Sequence, residues 1–162
     1  MRIIGDGGHA RVVREIIEQY EIGWFTYKHA VVAVGDNMAR KREVENCDGR
    51  LVTFPVLISK HAVVSRETTI GSGTVIMAGA IIQVGARIGK HVIINTGATV
   101  DHDCIIGDYA HIAPGAHLCG HVEVGEGALI GAGVCVAPMG KIPAWTLAKM
   151  RRLELVSLSN HC

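Results

Sequence analysis

The sequence has few aromatic residues, no surplus of either charge and no paired cysteine motif. Two Trp, three Tyr and two Phe are its only aromatic residues, although 49% of the 162 residues are hydrophobic. Sixteen Lys and Arg against fifteen Asp and Glu leave a net charge of +1. This near-balance excludes a basic surface for nucleic acid or for an anionic membrane. The five cysteines contain no CxxC pair, and Met1 leads into a Gly-rich turn rather than a secretory signal, so a reduced, cytoplasmic protein is expected.

Residues 1–58 have the composition of a small α/β domain. They hold five of the seven aromatic residues. Short apolar runs alternate with segments whose apolar residues recur at helical spacing, a pattern typical of parallel strands joined by helices. The predicted elements are a strand ending at Ile4, a helix from Ala10 to Tyr20, a strand over Ala30–Val34, a helix over Asn37–Glu45 and a strand over Leu51–Phe54.

Residues 59–142 follow a period of six. Fourteen consecutive sixth positions are aliphatic, and a small or slim residue stands four places after nearly every one. Neither a helix nor an ordinary strand generates this period, whereas a parallel β-helix does, with one short strand and one corner in each hexad. Its interior is too narrow for rings, which explains the missing aromatic residues. The aliphatic positions are Val64, Ile70, Ile76, Ile82, Ile88, Ile94, Val100, Ile106, Ile112, Leu118, Val124, Ile130, Val136 and Ile142.

One segment of the repeat carries a candidate catalytic histidine. His102 stands between Asp101 and Asp103, and a carboxylate beside an imidazole raises its pKa and fixes its tautomer, as a general base requires. Gly120 follows His102 by eighteen residues, or three hexads; if three hexads complete one coil, Gly120 stacks beside His102 with its backbone N–H as an oxyanion donor.

These segments together resemble one family. The Gly-rich turn Gly5–Ala10, the strand end Ala33–Asn37, and the hexads with Asn95–Gly97 and Val100–Gly107 resemble hexapeptide-repeat sugar acetyltransferases. The resemblance covers residues 2 to about 142 and includes the bacillosamine-type nucleotide-amino-sugar N-acetyltransferases and the sialic-acid O-acetyltransferases. It implies a left-handed β-helix, an abbreviated Rossmann-like acceptor domain over 1–58, and a homotrimer with active sites between neighbouring copies.

The resemblance also implies roles for individual residues. His102 would be the general base of a direct acetyl transfer from acetyl-CoA, with Asp103 raising its basicity. His111, Gly120 and Ala132 would contact acetyl-CoA. The UDP- or dTDP-linked amino sugar would bind at four residues of the front domain, and no metal is expected. These acceptor-site residues are Gly7, Gly8, His9 and Gly35.

Two departures from the family pattern leave other functions open. Residues 21–28 lead almost directly to the next strand, so a second strand with an acidic pair is expected to be missing. Residues 143–162 are expected to form an atypical tail, helical at best around 149–155, in place of a final coil. Such a chain could be an O-acetyltransferase or a catalytically impaired trimeric scaffold. The spacing of His111, His117 and His121 also resembles a γ-carbonic-anhydrase-type zinc site.

Overall fold

The computed structural model of the protein describes residues 2–20, 29–47 and 52–149. The segment 21–28, on which the missing second strand was predicted, lies outside these residues, and so does the tail from 150 onward. Within the described residues, the helices are too short and too polar to cross a membrane.

The front of the chain forms a βαβα unit. Strand β1 (Arg2–Ile4) pairs in parallel with β2 (Ala30–Val32), and helices α1 (Gly8–Ile17) and α2 (Asn37–Glu45) follow the two strands. The strand predicted over Leu51–Phe54 is reduced, within the described residues, to a parallel bridge between Thr53 and His29. Gly5 begins the turn into α1 with φ of 116°, and a Cβ there would lie only 2.7 Å from the carbonyl oxygen of Ala33. Only glycine is tolerated at this position.

Sixteen two-residue strands then form a three-sided parallel β-solenoid. Each strand pairs in parallel with strands eighteen residues away, as Val100 pairs with both Ile82 and Leu118. The strands are β3 (Leu57–Ile58), β4 (Val63–Val64), β5 (Thr69–Ile70), β6 (Val75–Ile76), β7 (Ile81–Ile82), β8 (Arg87–Ile88), β9 (Ile93–Ile94), β10 (Thr99–Val100), β11 (Ile105–Ile106), β12 (His111–Ile112), β13 (His117–Leu118), β14 (Glu123–Val124), β15 (Leu129–Ile130), β16 (Cys135–Val136), β17 (Lys141–Ile142) and β18 (Leu147–Ala148).

The hexads predict this solenoid correctly. Every predicted aliphatic position is the second residue of a strand, and most of them are buried with the small residues in one core. The paired strands nevertheless extend past both ends of the predicted range 59–142, because β3 pairs with β6 and β18 pairs with β15. The tail is therefore not atypical as far as Lys149. After Ile142, the chain makes one more corner and adds strand β18, in which Ala148 takes the inward position that a larger aliphatic residue usually fills.

Three faces result from the stacking of the strands. The first face contains β3, β6, β9, β12, β15 and β18, the second contains β4, β7, β10, β13 and β16, and the third contains β5, β8, β11, β14 and β17. The βαβα unit packs on the first face, where Val13 and Ile16 of α1 share a buried cluster with the outward-pointing Leu57, Val75 and Ile93. The corner between the second and third faces lies on the opposite side of the solenoid.

Candidate active site

Residues 101–104 form the corner between the second and third faces, here called the His102 corner. Strand β10 ends at Val100 and β11 begins at Ile105, so the corner spans one tight turn. Asp103 has a φ of 58°, a left-handed conformation that Asp adopts more readily than most residues, and its N–H donates to the carbonyl of Val84 at 3.0 Å. The turn therefore presents the side chains of His102 and Asp103 to solvent from a fixed backbone.

His102 and Asp103 form a hydrogen-bonded pair. Nδ1 of His102 lies 3.0 Å from Oδ2 of Asp103, and both side chains are about half exposed. The hydrogen bond to Asp103 is the main reason why the pKa of His102 is raised; desolvation opposes it, and the negative charges of Asp101 and Asp103 add smaller increases. Because the carboxylate accepts a hydrogen bond from Nδ1–H, the neutral ring has its free lone pair on Nε2. This is the arrangement that a general base requires.

Gly120 lies beside the ring of His102, as the eighteen-residue spacing predicts. A Cβ added at Gly120 would lie 2.5 Å from Nε2 of His102, so the absence of a side chain leaves space next to the basic nitrogen. The structure thus brings three predicted site residues together in one chain: His102, Asp103 and Gly120.

His121 also belongs to this corner; the sequence reasoning named it only with His111 and His117 as a zinc-site alternative, not as a neighbour of His102. Its ring meets that of His102 edge to face at 5.1 Å between centroids, and its Nε2 lies 3.9 Å from Oδ2 of Asp103. The signal was available, because His121 is eighteen residues after Asp103 and therefore stacks on it.

His111 lies elsewhere, on the first face beneath the βαβα unit. Its Nδ1 is 3.3 Å from the carbonyl oxygen of Gly35, and its Nε2 is 3.0 Å from Nδ2 of Asn95. Burial, with smaller effects of Arg40 and His9, lowers its pKa to about 4. The imidazole is therefore neutral at physiological pH. Within one chain it lies across the solenoid from the His102 corner.

The predicted acceptor-site residues lie at the ends of α1 and β2. Gly7 precedes the first turn of α1, Gly8 begins the helix, and both are exposed to open space. Burial and the nearby Arg40 lower the pKa of His9 to about 4, and its Nε2 is buried without a hydrogen-bond partner among the described residues. Gly35 accepts hydrogen bonds on the same side of the molecule, so these residues cluster above the first face.

Arg40 fixes this cluster on the solenoid. The side chain of Arg40 is almost completely buried, and its guanidinium donates to carbonyl oxygens of both parts: Val34 and Gly35 in the βαβα unit, and His91 and Tyr109 in the solenoid. Burial lowers its pKa to about 10, opposed by the negative charge of Asp36, so it keeps its positive charge at neutral pH. The sequence pattern did not predict that Arg40 is buried, because in the sequence it is one of several charged residues of a helix expected at the surface.

Two further sets of predicted residues are not assembled within one chain. Ala132 is exposed at the corner between the first and second faces, away from His102. His111, His117 and His121 lie on the first face, on the second face and at the His102 corner, so the described part of one chain does not bring these three together as metal ligands.

Comparisons with known proteins give a consistent result. The family described as bacterial transferase hexapeptide (six repeats) matches residues 85–119 and 103–138. A UDP-N-acetylbacillosamine N-acetyltransferase of Bacillus subtilis is 42% identical over 107 residues, covering 46% of this chain and 50% of that protein. The match thus spans about half the length of this curated relative.

Two solved structures resemble the chain over most of its length. The acetyltransferase domain of PglB from Neisseria gonorrhoeae, in complex with acetyl coenzyme A, is 34% identical with a TM-score of 0.83. PerB from Caulobacter crescentus, in complex with CoA and GDP-perosamine, is 30% identical with a TM-score of 0.69. Each alignment covers 91% of this chain and 87% of the solved chain.

Proposed function

This chain belongs to the hexapeptide-repeat sugar acetyltransferases, and we propose that it transfers the acetyl group of acetyl-CoA to the amino group of a nucleotide-linked amino sugar. The observation that carries the proposal is the His102–Asp103 pair, with its free Nε2 beside the side-chain-free Gly120. The ligands named for similar structures, acetyl coenzyme A and GDP-perosamine, support both substrate classes.

The transfer is direct. Nε2 of His102 accepts a proton from the sugar amine as the nitrogen attacks the thioester carbonyl, and Asp103 stabilises the resulting imidazolium. The backbone N–H of Gly120 donates to the carbonyl oxygen, which becomes negative as the tetrahedral intermediate forms. The C–S bond then breaks, and the proton held by His102 passes to the departing CoA sulfur. Cysteine need not act as a nucleophile: Cys104, nearest to the pair in sequence, is buried in the core and burial raises the pKa of its thiol.

The acceptor and the base come from different copies of the chain. The candidate acceptor residues Gly7, Gly8, His9 and Gly35 belong to the βαβα unit on the first face, opposite the His102 corner. In a homotrimer with parallel solenoids, the His102 corner of one copy approaches the βαβα unit of the next. His111 and Ala132 would then contact acetyl-CoA from neighbouring positions. The separation within one chain supports this arrangement, because a single copy cannot place its own acceptor beside its own base.

The proposed domain organisation follows from the same assignment. Residues 1–58 act as an abbreviated Rossmann-like acceptor domain, which the parallel pairing of β1 and β2 around α1 supports. The resemblance to the family implies a left-handed sense for the solenoid. The four described cysteines are free thiols, which is consistent with a cytoplasmic setting.

Acetyl transfer by purified protein tests the proposal. With acetyl-CoA and a panel of UDP-, dTDP- and GDP-linked amino sugars, the wild type is expected to release CoA, and His102→Asn to lose about 10²- to 10⁴-fold in kcat, the range typical of a general base. The matched control is His117→Asn, which removes an exposed histidine of the second face that contacts Thr99 and should leave kcat unchanged. Equal inertness of folded wild type and His102→Asn with every acceptor would refute the proposal and favour a scaffold. Transfer only to sugar hydroxyls would make the chain an O-acetyltransferase.

A further inference from the structure

At the His102 corner, a third side chain lies beside His102 and Asp103, and the acetyl transfer does not use it. The donor atoms of His102, Asp103 and His121 lie within 4.8 Å of one another. The carboxylate is central, since its Oδ2 is 3.0 Å from Nδ1 of His102 and 3.9 Å from Nε2 of His121. In one chain all three side chains are about half exposed.

Two imidazoles and one carboxylate are a donor set for a borderline transition metal. Zn²⁺ binds nitrogen at about 2.0–2.1 Å and carboxylate oxygen at about 2.0–2.2 Å, which places tetrahedral ligand atoms about 3.3 Å apart. The two contacts to Asp103 bracket this value, and all three donor atoms lie within 4.8 Å of one another, so an inward movement of the exposed His121 ring would complete three ligands. A water molecule takes the fourth position. Mg²⁺ and Ca²⁺ prefer oxygen ligands and suit this set poorly.

The backbone holds the donors in register. Asp103 and His121 occupy equivalent positions of consecutive coils, with left-handed φ values of 58° and 60°, and the N–H of His121 donates to the carbonyl of His102 at 3.0 Å. Two glycines leave space for the side chains of this cluster. A Cβ at Gly85 would collide with the Asp103 carboxylate, and one at Gly120 with the ring of His102. The cluster is therefore built on the rigid solenoid rather than on a loop.

We propose that His102, Asp103 and His121 bind Zn²⁺, or an ion of similar preference, and that the bound ion inhibits acetyl transfer. The inhibition rests on the proposed function, whereas the binding does not. A neutral imidazole has one free lone pair. When the metal takes it, the other ring nitrogen carries the proton, so His102 can no longer accept one from the sugar amine. The ion is thus an inhibitor at the base itself and not a cofactor.

Calorimetric titration of untagged protein with ZnCl₂, in the absence of acetyl-CoA, tests the site. We expect one Zn²⁺ per chain, no binding of Mg²⁺, and a dissociation constant raised by about tenfold or more in His121→Asn, which loses one of three ligands. Asn tolerates the left-handed backbone of this position. His117→Asn serves as the matched control and should bind Zn²⁺ like the wild type. Unchanged Zn²⁺ affinity in folded His121→Asn would overturn the assignment.

Inhibition is measured separately, by loss of thioester absorbance, since the CoA thiol product itself binds zinc. The wild type should lose activity over the same Zn²⁺ concentrations at which it binds, regain it with EDTA, and be inhibited at about tenfold higher concentration in His121→Asn. Full activity of the Zn²⁺-loaded wild type would overturn the inhibitory role. A protein that binds Zn²⁺ but transfers no acetyl group before metal is added would instead refute the proposed function and leave the metal site standing.

Discussion

Replacing Arg40 with methionine should weaken the attachment of helix α2 to the solenoid. The guanidinium of Arg40 is the polar centre of the contact between α2 and the corner that joins the third and first faces, with donor–acceptor distances of 2.9 Å to the carbonyl of His91 and 2.6 Å to that of Tyr109. Methionine has a similar length and keeps the apolar stem, but it donates no hydrogen bond. The two solenoid carbonyls would then be buried without their donor.

The expected cost is large relative to the stability of a small protein. A hydrogen bond from a charged group contributes about 1.5–3 kcal/mol, and two of them join the guanidinium to the solenoid at short distance. The desolvation of Arg40, visible in its lowered pKa, is regained in the variant and offsets part of the loss. We therefore expect Arg40→Met to lower the free energy of unfolding by about 2–5 kcal/mol, against a typical total of about 5–15 kcal/mol.

Hydrogen exchange and urea denaturation together give the measurement. Because each coil of a solenoid contacts mainly its neighbours, the amides of β7 to β14 should keep their protection while those of α2 lose theirs. The matched control is Arg42→Met, an exposed arginine on the same helix, for which the change should stay within about 0.5 kcal/mol. A loss below about 1 kcal/mol in Arg40→Met, or equal loss of protection in α2 and the solenoid, would refute the role assigned to Arg40.

Two further predictions concern the pair at the His102 corner. Asp103→Asn replaces the charged acceptor that raises the pKa of His102 with a neutral one, so the rise of kcat/KM with pH, which follows deprotonation of the base, should move to lower pH and reach a lower plateau. Rate profiles between about pH 5 and 9 measure this, and an unshifted acid limb would contradict the assignment. Gly120→Ala places a methyl group 2.5 Å from Nε2 of His102, and displacing the ring should lower kcat by about tenfold to hundredfold. Because that ring is exposed, the melting temperature should stay close to that of the wild type, and wild-type kcat in this variant would show that Nε2 does not face the reaction.

The solenoid was predictable because its interior imposes one requirement every six residues. An inward side chain such as Ile112 must be aliphatic, and the narrow corner position at Ala110 must be small. The same stacking rule places Gly120 beside His102 and would have placed His121 on Asp103. The predicted helix Asn37–Glu45 is confirmed residue for residue, with Asp36 accepting from the N–H of Ala39 at its start.

Contacts between the two parts of the chain were not predictable in this way. Arg40 satisfies carbonyl groups of His91 and Tyr109, residues more than fifty positions away, and carbonyl acceptors leave no mark in a sequence. His111 has the spacing of an outward strand position, yet the loop at Gly35 covers it. Its burial depends on the docking of the βαβα unit, which the spacing does not reveal. The last described strand was missed because Ala148 fills an interior position that earlier coils give to larger aliphatic residues.

The placement of the βαβα unit on the face opposite the His102 corner has a genetic consequence. Suppose that each site draws its base from one copy and its acceptor pocket from the next. A chain damaged only at His102 and a chain damaged only at the acceptor pocket can then compensate for each other. In a mixed assembly, an intact pocket on one meets an intact base on the other, so two inactive alleles together restore partial activity. A fold that divides its site between copies thereby makes complementation between alleles an ordinary outcome of assembly.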